Sequence, residues 1–146
     1  MPTVPANVPS VPADVRVEAG FWDVYTTGDG ATPSMQRQVF ALLDRYAASD
    51  HPIFELWITG HSLGAALSTL FTLDVALCRP AITASHVNVA SPRLGNAAFV
   101  AWYQQQAAEQ AEASRTLRVQ NELDRVPDRR PSTWVTGTSL GLGARV

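Results

Sequence analysis

The stretch LWITGHSLGAAL, residues 56 to 67, constrains this chain more than any other. An apolar run rich in β-branched and aromatic residues ends at Gly60, and Ser62 then opens a segment whose composition suits a helix. A strand that enters a helix through a serine between two glycines has the form of a nucleophile elbow, a strained turn that needs small residues around it. Gly60-His61-Ser62-Leu63-Gly64 as a bare pattern is loose, with roughly 0.05 matches by chance in a chain of this length. The strand before it and the helix after it carry more weight. Gly60 and Gly64 are both expected to remove side chains that clash at the turn, and Ala65 and Ala66 to let the helix approach the sheet closely. Ser62 is therefore the candidate nucleophile. It lies at a helix N-terminus, where unpaired N–H groups favour developing negative charge, and the Leu63 N–H is the candidate oxyanion donor. A plain N-cap is the simpler role for a serine here; the two glycines favour the nucleophile.

The rest of the chain alternates strand and helix. Residues 1 to 16, with four prolines in the first twelve, read as an extended leader or linker. Turn signals dominate GFWDVYTTGDGATPS. From Met35 to Ala48 apolar Val39, Leu42, Leu43 and Tyr46 recur at helical spacing behind a Ser34 cap. IFELWIT is a strand, Leu63 to about Leu77 a helix stopped by Arg79-Pro80, SHVNVAS a second strand, NAAFVAWYQQQAAEQAEA a helix capped by Asn96, and TLRVQN a third strand. Such alternation predicts βαβ units, hence a parallel sheet covered by helices on both faces. The C-terminal STWVTGTSLGLGARV has room for one or two short strands.

Bulk composition removes several function classes. The 146 residues suffice for one domain, and a formal net charge of −2 provides no field for nucleic acid or an anionic surface. Cys78 is the single cysteine, so no internal disulfide forms; no Cys/His cluster has metal-ligand spacing, and neither metal nor cofactor is expected. No apolar run is long enough to span a bilayer. The N-terminus lacks the charged and apolar regions of a signal peptide, which makes the cytoplasm the default compartment.

Three segments in order resemble the class 3 (fungal-type) lipases of the α/β-hydrolase fold. LWITGHSLGAALSTL is similar to that family's nucleophile segment. ASPRLGNAAFVAWY, residues 90 to 103, is similar to its GSPRVGN turn and following helix. RVQNELDRVPDRRP, residues 118 to 131, resembles its RVVNxxDxVPxxP segment. Upstream, Val17-Glu18-Ala19-Gly20-Phe21 resembles VHxGF, with Glu18 where the family usually has histidine. The resemblance implies a partial α/β-hydrolase domain over residues 17 to 146, a three-layer αβα arrangement around a mostly parallel sheet. It implies a carboxylic ester hydrolase acting on acylglycerols or similar lipids, with Ser62 as nucleophile and Asp124 as the acid that orients the base. Pro127 is expected to stiffen the loop that holds Asp124.

A base is harder to name. In this fold the catalytic residues follow the order Ser, Asp, His, and no histidine follows Asp124. His61 adjoins Ser62 and is expected to point away from its hydroxyl. His51 precedes the first long strand and His86 begins the second, both toward the amino edge, so both are expected to be solvated or hydrogen-bonded. The chain is therefore expected to be weakly active or inactive alone, since loss of one triad member lowers turnover by orders of magnitude. A non-catalytic module that binds a lipid or a protein partner is the alternative. A sheet of about three strands leaves long edges unpaired, which predicts self-association. Trp22, Trp57, Trp102 and Trp134 are assigned to core rather than to an acyl pocket.

Overall fold

The structure is a computed structural model that describes residues 11–50, 55–109, 115–128 and 134–136. Its centre is a parallel sheet of three strands, β2 (Glu55–His61), β3 (Thr83–Val89) and β4 (Thr116–Val119), in the spatial order β2-β3-β4. Helix α3 (Leu63–Cys78) connects β2 to β3, and α4 (Ala97–Glu109) connects β3 to β4. Two right-handed crossovers that advance in the same direction place both helices on one face of the sheet. Hydrogen bonds agree with that placement, because His86 of β3 reaches Ser68 of α3 and Tyr103 of α4.

The N-terminal elements pack on this helical layer. Val15 and Val17 are fully buried and Val11 packs against the core, so residues 11–15 of the expected leader lie against the domain. Residues 1–10 lie outside the described residues. Strand β1 (Arg16–Glu18) pairs antiparallel with β5 (Trp134–Thr136), and the Asn96 side chain accepts from Arg16 N and donates to the Asp14 carbonyl, tying this corner to the start of α4. The same Asn96 Oδ1 caps α4 through Phe99 N at 3.0 Å, as its position in the sequence predicts.

Two local expectations change. The segment read as turns begins with a helix, α1 (Ala19–Thr26), because the Glu18 carboxylate accepts from Phe21 N at 2.9 Å as an N-cap and Trp22 and Tyr25 supply an inward face. Turn chemistry is confined to residues 27–34, where the Asp29 carboxylate accepts from Ala31 N and Thr32 N. Helix α2 (Met35–Ala47) has the predicted Ser34 cap, yet it buries Gln36, Phe40 and Leu43 and leaves Leu42 and Tyr46 exposed. The cause is polar. The carboxylate of Asp74, fully buried on α3, accepts from Gln36 Nε2 at 2.6 Å and Tyr25 OH at 2.8 Å, which rotates Gln36 inward. A buried carboxylate is tolerated only when hydrogen-bonded, so both helices are held to α3 through it. Phe40 meets Phe71 edge-on at 5.7 Å, and Arg79 pairs with Asp44 at 2.8 Å.

The opposite face of the sheet carries Trp57, 69% exposed, with Leu117 and Val119 beyond it across β3. Trp57 is thus not a core residue, whereas Trp22 and Trp102 are; the side chain of Trp134 lies outside the described residues. No described helix packs on this face. Cys78 is buried, and burial pushes its thiol up to about 11, which makes it an inert core group.

His86 lies in the middle of β3 rather than at its start, since the strand extends back to Thr83, and it is fully buried. Nε2 is 2.9 Å from Ser68 Oγ and Nδ1 is 3.3 Å from Tyr103 OH, which in turn is 2.9 Å from Thr116 Oγ1. Ser68 Oγ already donates to the Ala65 carbonyl, so the network assigns the proton to Nε2 and acceptance to Nδ1. Desolvation lowers its pKa from 6.5 to about 4. Between these values the unfolded chain binds the proton and the folded chain does not. Stability contributed by neutral His86 is present above pH 6.5 and is lost as pH falls toward 4, by about 3 kcal/mol in all. Urea titrations at pH 7.0 and 4.5 are expected to show this loss, and His86→Leu, less stable at pH 7.0, is expected to show a shallower pH dependence.

Candidate active site

Glycine placement determines the turn between β2 and α3. A Cβ on Gly60 would overlap the backbone of Gly64 and come within 2.7 Å of Ala65 N, so no other residue fits there without moving α3. Gly64 differs from expectation: a Cβ at that position meets nothing within 4 Å. Ala65 and Ala66 are fully buried, which brings the first turn of α3 directly onto the strands.

Ser62 has φ 53° and ψ −122°, a conformation that L residues rarely adopt and that costs on the order of 1–3 kcal/mol. Its backbone is fully used: N–H donates to the Val89 carbonyl at 3.0 Å, and its carbonyl accepts from Ala65 N at 3.0 Å. Its side chain is not. Ser62 is the N-cap residue of α3 but its hydroxyl caps nothing, and Oγ has no hydrogen-bond partner among the described residues. The serine's position at the cap therefore has a backbone reason, and its hydroxyl is half-buried and uncommitted. The Leu63 N–H beside it, in the first turn of α3, likewise has no acceptor among the described residues.

A second left-handed residue stands next to the first. Ala90, just after β3, has φ 52°, and its N–H donates to the Val119 carbonyl at 2.9 Å. Val89 C=O and Ala90 N–H belong to one peptide group. That group therefore joins Ser62 at the end of β2 to Val119 at the end of β4. Arg118 Nη2 adds a second tie by donating to the Ser91 carbonyl at 2.9 Å. Nothing in the residues around Ala90 announced its backbone conformation.

Asp124 follows β4 in a loop built from its own side chains. Asn121 Oδ1 accepts from Leu123 N, Asp124 N donates to the Asn121 carbonyl, and Asp124 Oδ1 accepts from Val126 N at 2.9 Å. Pro127 is buried in the 3-10 turn Val126–Asp128 that closes the loop. Asp124 is half-buried, and its second oxygen has no partner among the described residues. The structure thus places Ser62, Leu63 and Asp124 at the carboxyl edge of one parallel sheet, on either side of β3. Two strand spacings, about 10 Å, separate the ends of β2 and β4, a gap that an imidazole bonded at both nitrogens can bridge. Among the described histidines none fills it: His61 is exposed on the face of Trp57, and His86 is sealed beneath the helices. His51 lies outside the described residues. No group of described His, Cys, Asp or Glu side chains is arranged to hold a metal ion. No described helix is long and apolar enough to cross a membrane.

Comparison with known proteins adds the family. The sequence model for Lipase (class 3) matches residues 2–133. The chain belongs to the class 3 lipase family. It is 34% identical over 131 residues to Phospholipase A1-II 3 of Oryza sativa subsp. japonica, covering 81% of this chain and 30% of that protein. It is 33% identical over 123 residues to Phospholipase A(1) DAD1, chloroplastic, of Arabidopsis thaliana, covering 82% of this chain and 25% of the other. Among solved structures it is similar to lipase II from Rhizopus niveus, with a TM-score of 0.62 and 25% identity over 77% of this chain and 38% of that one. A triacylglycerol lipase from Penicillium expansum gives a TM-score of 0.56 and 26% identity, covering 80% and 41%. The fold is therefore that of the α/β hydrolases. This class 3 lipase chain spans about a third or less of the length of the curated relatives it matches.

The two glycines separate experimentally. Gly64→Ala, in open space within a helix, is expected to raise stability by about 0.5–1 kcal/mol, whereas Gly60→Ala is expected to abolish cooperative unfolding. Circular dichroism melts of the two variants check both outcomes.

Proposed function

We propose that this class 3 lipase chain carries the nucleophile and acid of a lipid ester hydrolase, with Ser62 attacking the ester carbonyl. The single observation that supports this most is the strained Ser62 whose hydroxyl caps nothing beside an unpaired Leu63 N–H. In the reaction Ser62 Oγ adds to the carbonyl carbon, its proton passes to an imidazole, and the oxyanion is met by the Leu63 N–H and the α3 N-terminus. The alcohol leaves with that proton, and water repeats the sequence on the acyl-enzyme. Asp124, with one oxygen bonded to Val126 N, offers the other to orient the imidazole. The ester belongs to an acylglycerol or a phospholipid, as the names of the relatives suggest.

No histidine follows Asp124, and neither His61 nor His86 faces Ser62. The chain on its own is accordingly expected to turn over a chromogenic butyrate ester at least about 10³-fold more slowly than a complete triad. A fluorophosphonate is expected to label Ser62 slowly and to leave Ser62→Ala unlabelled. Turnover that survives Ser62→Ala overturns the assignment. A chain that never labels but binds lipid supports the non-catalytic alternative.

Self-association belongs to the same reading. β2 and β4 each pair with β3 alone among the described residues, and their outward face presents Trp57, Leu117 and Val119. Parallel sheets are ordinarily covered on both faces. Sedimentation velocity is expected to find dimers that Trp57→Ser shifts toward monomer; a monomer at all concentrations overturns this.

A further inference from the structure

The second strained residue of the site, Ala90, has φ 52°, a left-handed backbone that L residues rarely adopt, so its surroundings must hold it there. Two bonds from consecutive residues of β4 clamp it. On its amino side the Ala90 N–H donates to the Val119 carbonyl at 2.9 Å, and on its carboxyl side the Ser91 carbonyl accepts from Arg118 Nη2 at 2.9 Å. Arg118 is part of an exposed strand, yet no carboxylate pairs with it among the described residues. Its cation is directed instead at a backbone oxygen of Ser91, which is only 3% exposed. A buried carbonyl requires a donor, and a charged donor makes the stronger bond.

We infer that Arg118 is a positioning residue for Ser62, which rests on the reading of Ser62 as nucleophile. The connection runs through one peptide group. The Val89 carbonyl accepts from Ser62 N–H at 3.0 Å, so the plane of the peptide between Val89 and Ala90 fixes where the Ser62 backbone sits. If the clamp opened, the Ala90 φ would turn by about 110° toward the ordinary region near −60°. A flanking peptide must then rotate. Downstream, Pro92 has a fixed φ, and Leu94 is buried with its carbonyl accepting from Glu18 N at 2.8 Å, so that side is anchored. The rotation falls on the peptide between Val89 and Ala90, whose oxygen swings away from Ser62. Ser62, itself at φ 53°, then loses one of the two backbone bonds that hold it. Arg118 thus acts on a serine two strand spacings away, about 10 Å, without touching it.

Amide hydrogen exchange followed by NMR on the folded chain reads the clamp directly. Arg118→Met removes the donors and keeps the stem; it is expected to speed exchange at Ser62 and Ala90 about tenfold, one charged hydrogen bond's worth. Leu70 and Leu73, buried in α3, are expected to keep their rates, which a merely structural loss would raise by the same factor. Arg118→Met/Ala90→Gly is expected to restore slow exchange at Ser62, because glycine adopts φ 52° without being held. Arg118→Lys, which retains a donor, is expected to fall between Arg118→Met and the original chain. Fluorophosphonate labelling of Ser62 is expected to slow about tenfold in Arg118→Met and to recover in the double variant. Exchange at Ser62 unchanged by Arg118→Met, or raised equally at Leu70, overturns the inference, as does labelling that stays at its original rate. Where Arg118→Met alone does not fold, folding of the double variant supports the clamp and failure of both overturns it. An unsubstituted chain that never labels counts against the hydrolase reading and leaves exchange to decide the clamp, so either can fail alone.

Discussion

Close contact between the first turn of α3 and strand β2 is the constraint on which the remainder depends. It exists because Gly60 has no side chain to hold the Gly64 carbonyl and Ala65 away, and because Ala65 and Ala66 bury completely against the sheet. With the helix this near, the chain cannot pass from strand to helix through an ordinary conformation, and the strain falls on Ser62. A strained residue persists only where its surroundings over-determine it. Here both backbone groups of Ser62 are bonded, one to Val89 and one to α3, which leaves its hydroxyl the uncommitted group.

The same contact organises the edge of the sheet. A single peptide group after β3 bonds to Ser62 on one side and Val119 on the other, so the elbow and the strand leading to Asp124 are separated by a backbone distance rather than by flexible side chains. That rigidity suits a site whose partners must hold a bridging group in place. Beneath the edge, two buried polar groups hold the helices in register: Asp74 gathers α1 and α2 through Tyr25 and Gln36, and His86 joins α3 and α4 through Ser68 and Tyr103. Both are interior, one a carboxylate and one a neutral imidazole.

Much of this was legible in the chain itself. The boundaries of α2 and α3, the caps at Ser34 and Asn96, and the three parallel strands follow from apolar period and capping chemistry, which are local. The misread places share a cause. Helix α1 begins on a Glu18 cap outside the usual Ser, Thr, Asp and Asn set, and the inward face of α2 was displaced by a hydrogen bond to a residue 38 positions away. His86 was set at the start of β3 rather than in its middle because strand ends depend on the neighbours they pair with, here Glu55 opposite Thr83.

By itself, then, the sequence determined the order of strands and helices, the glycine-flanked turn at Ser62 and the loop that holds Asp124, because glycine spacing, apolar period and proline position act within a few residues. Only the tertiary structure decided which glycine is indispensable, that the Ser62 hydroxyl is uncommitted, that Trp57 lies outside and Gln36 inside, and that Arg118 reaches the Ser91 carbonyl. Each of these depends on what another segment of the chain brings within a few ångströms, and a linear sequence does not record that distance.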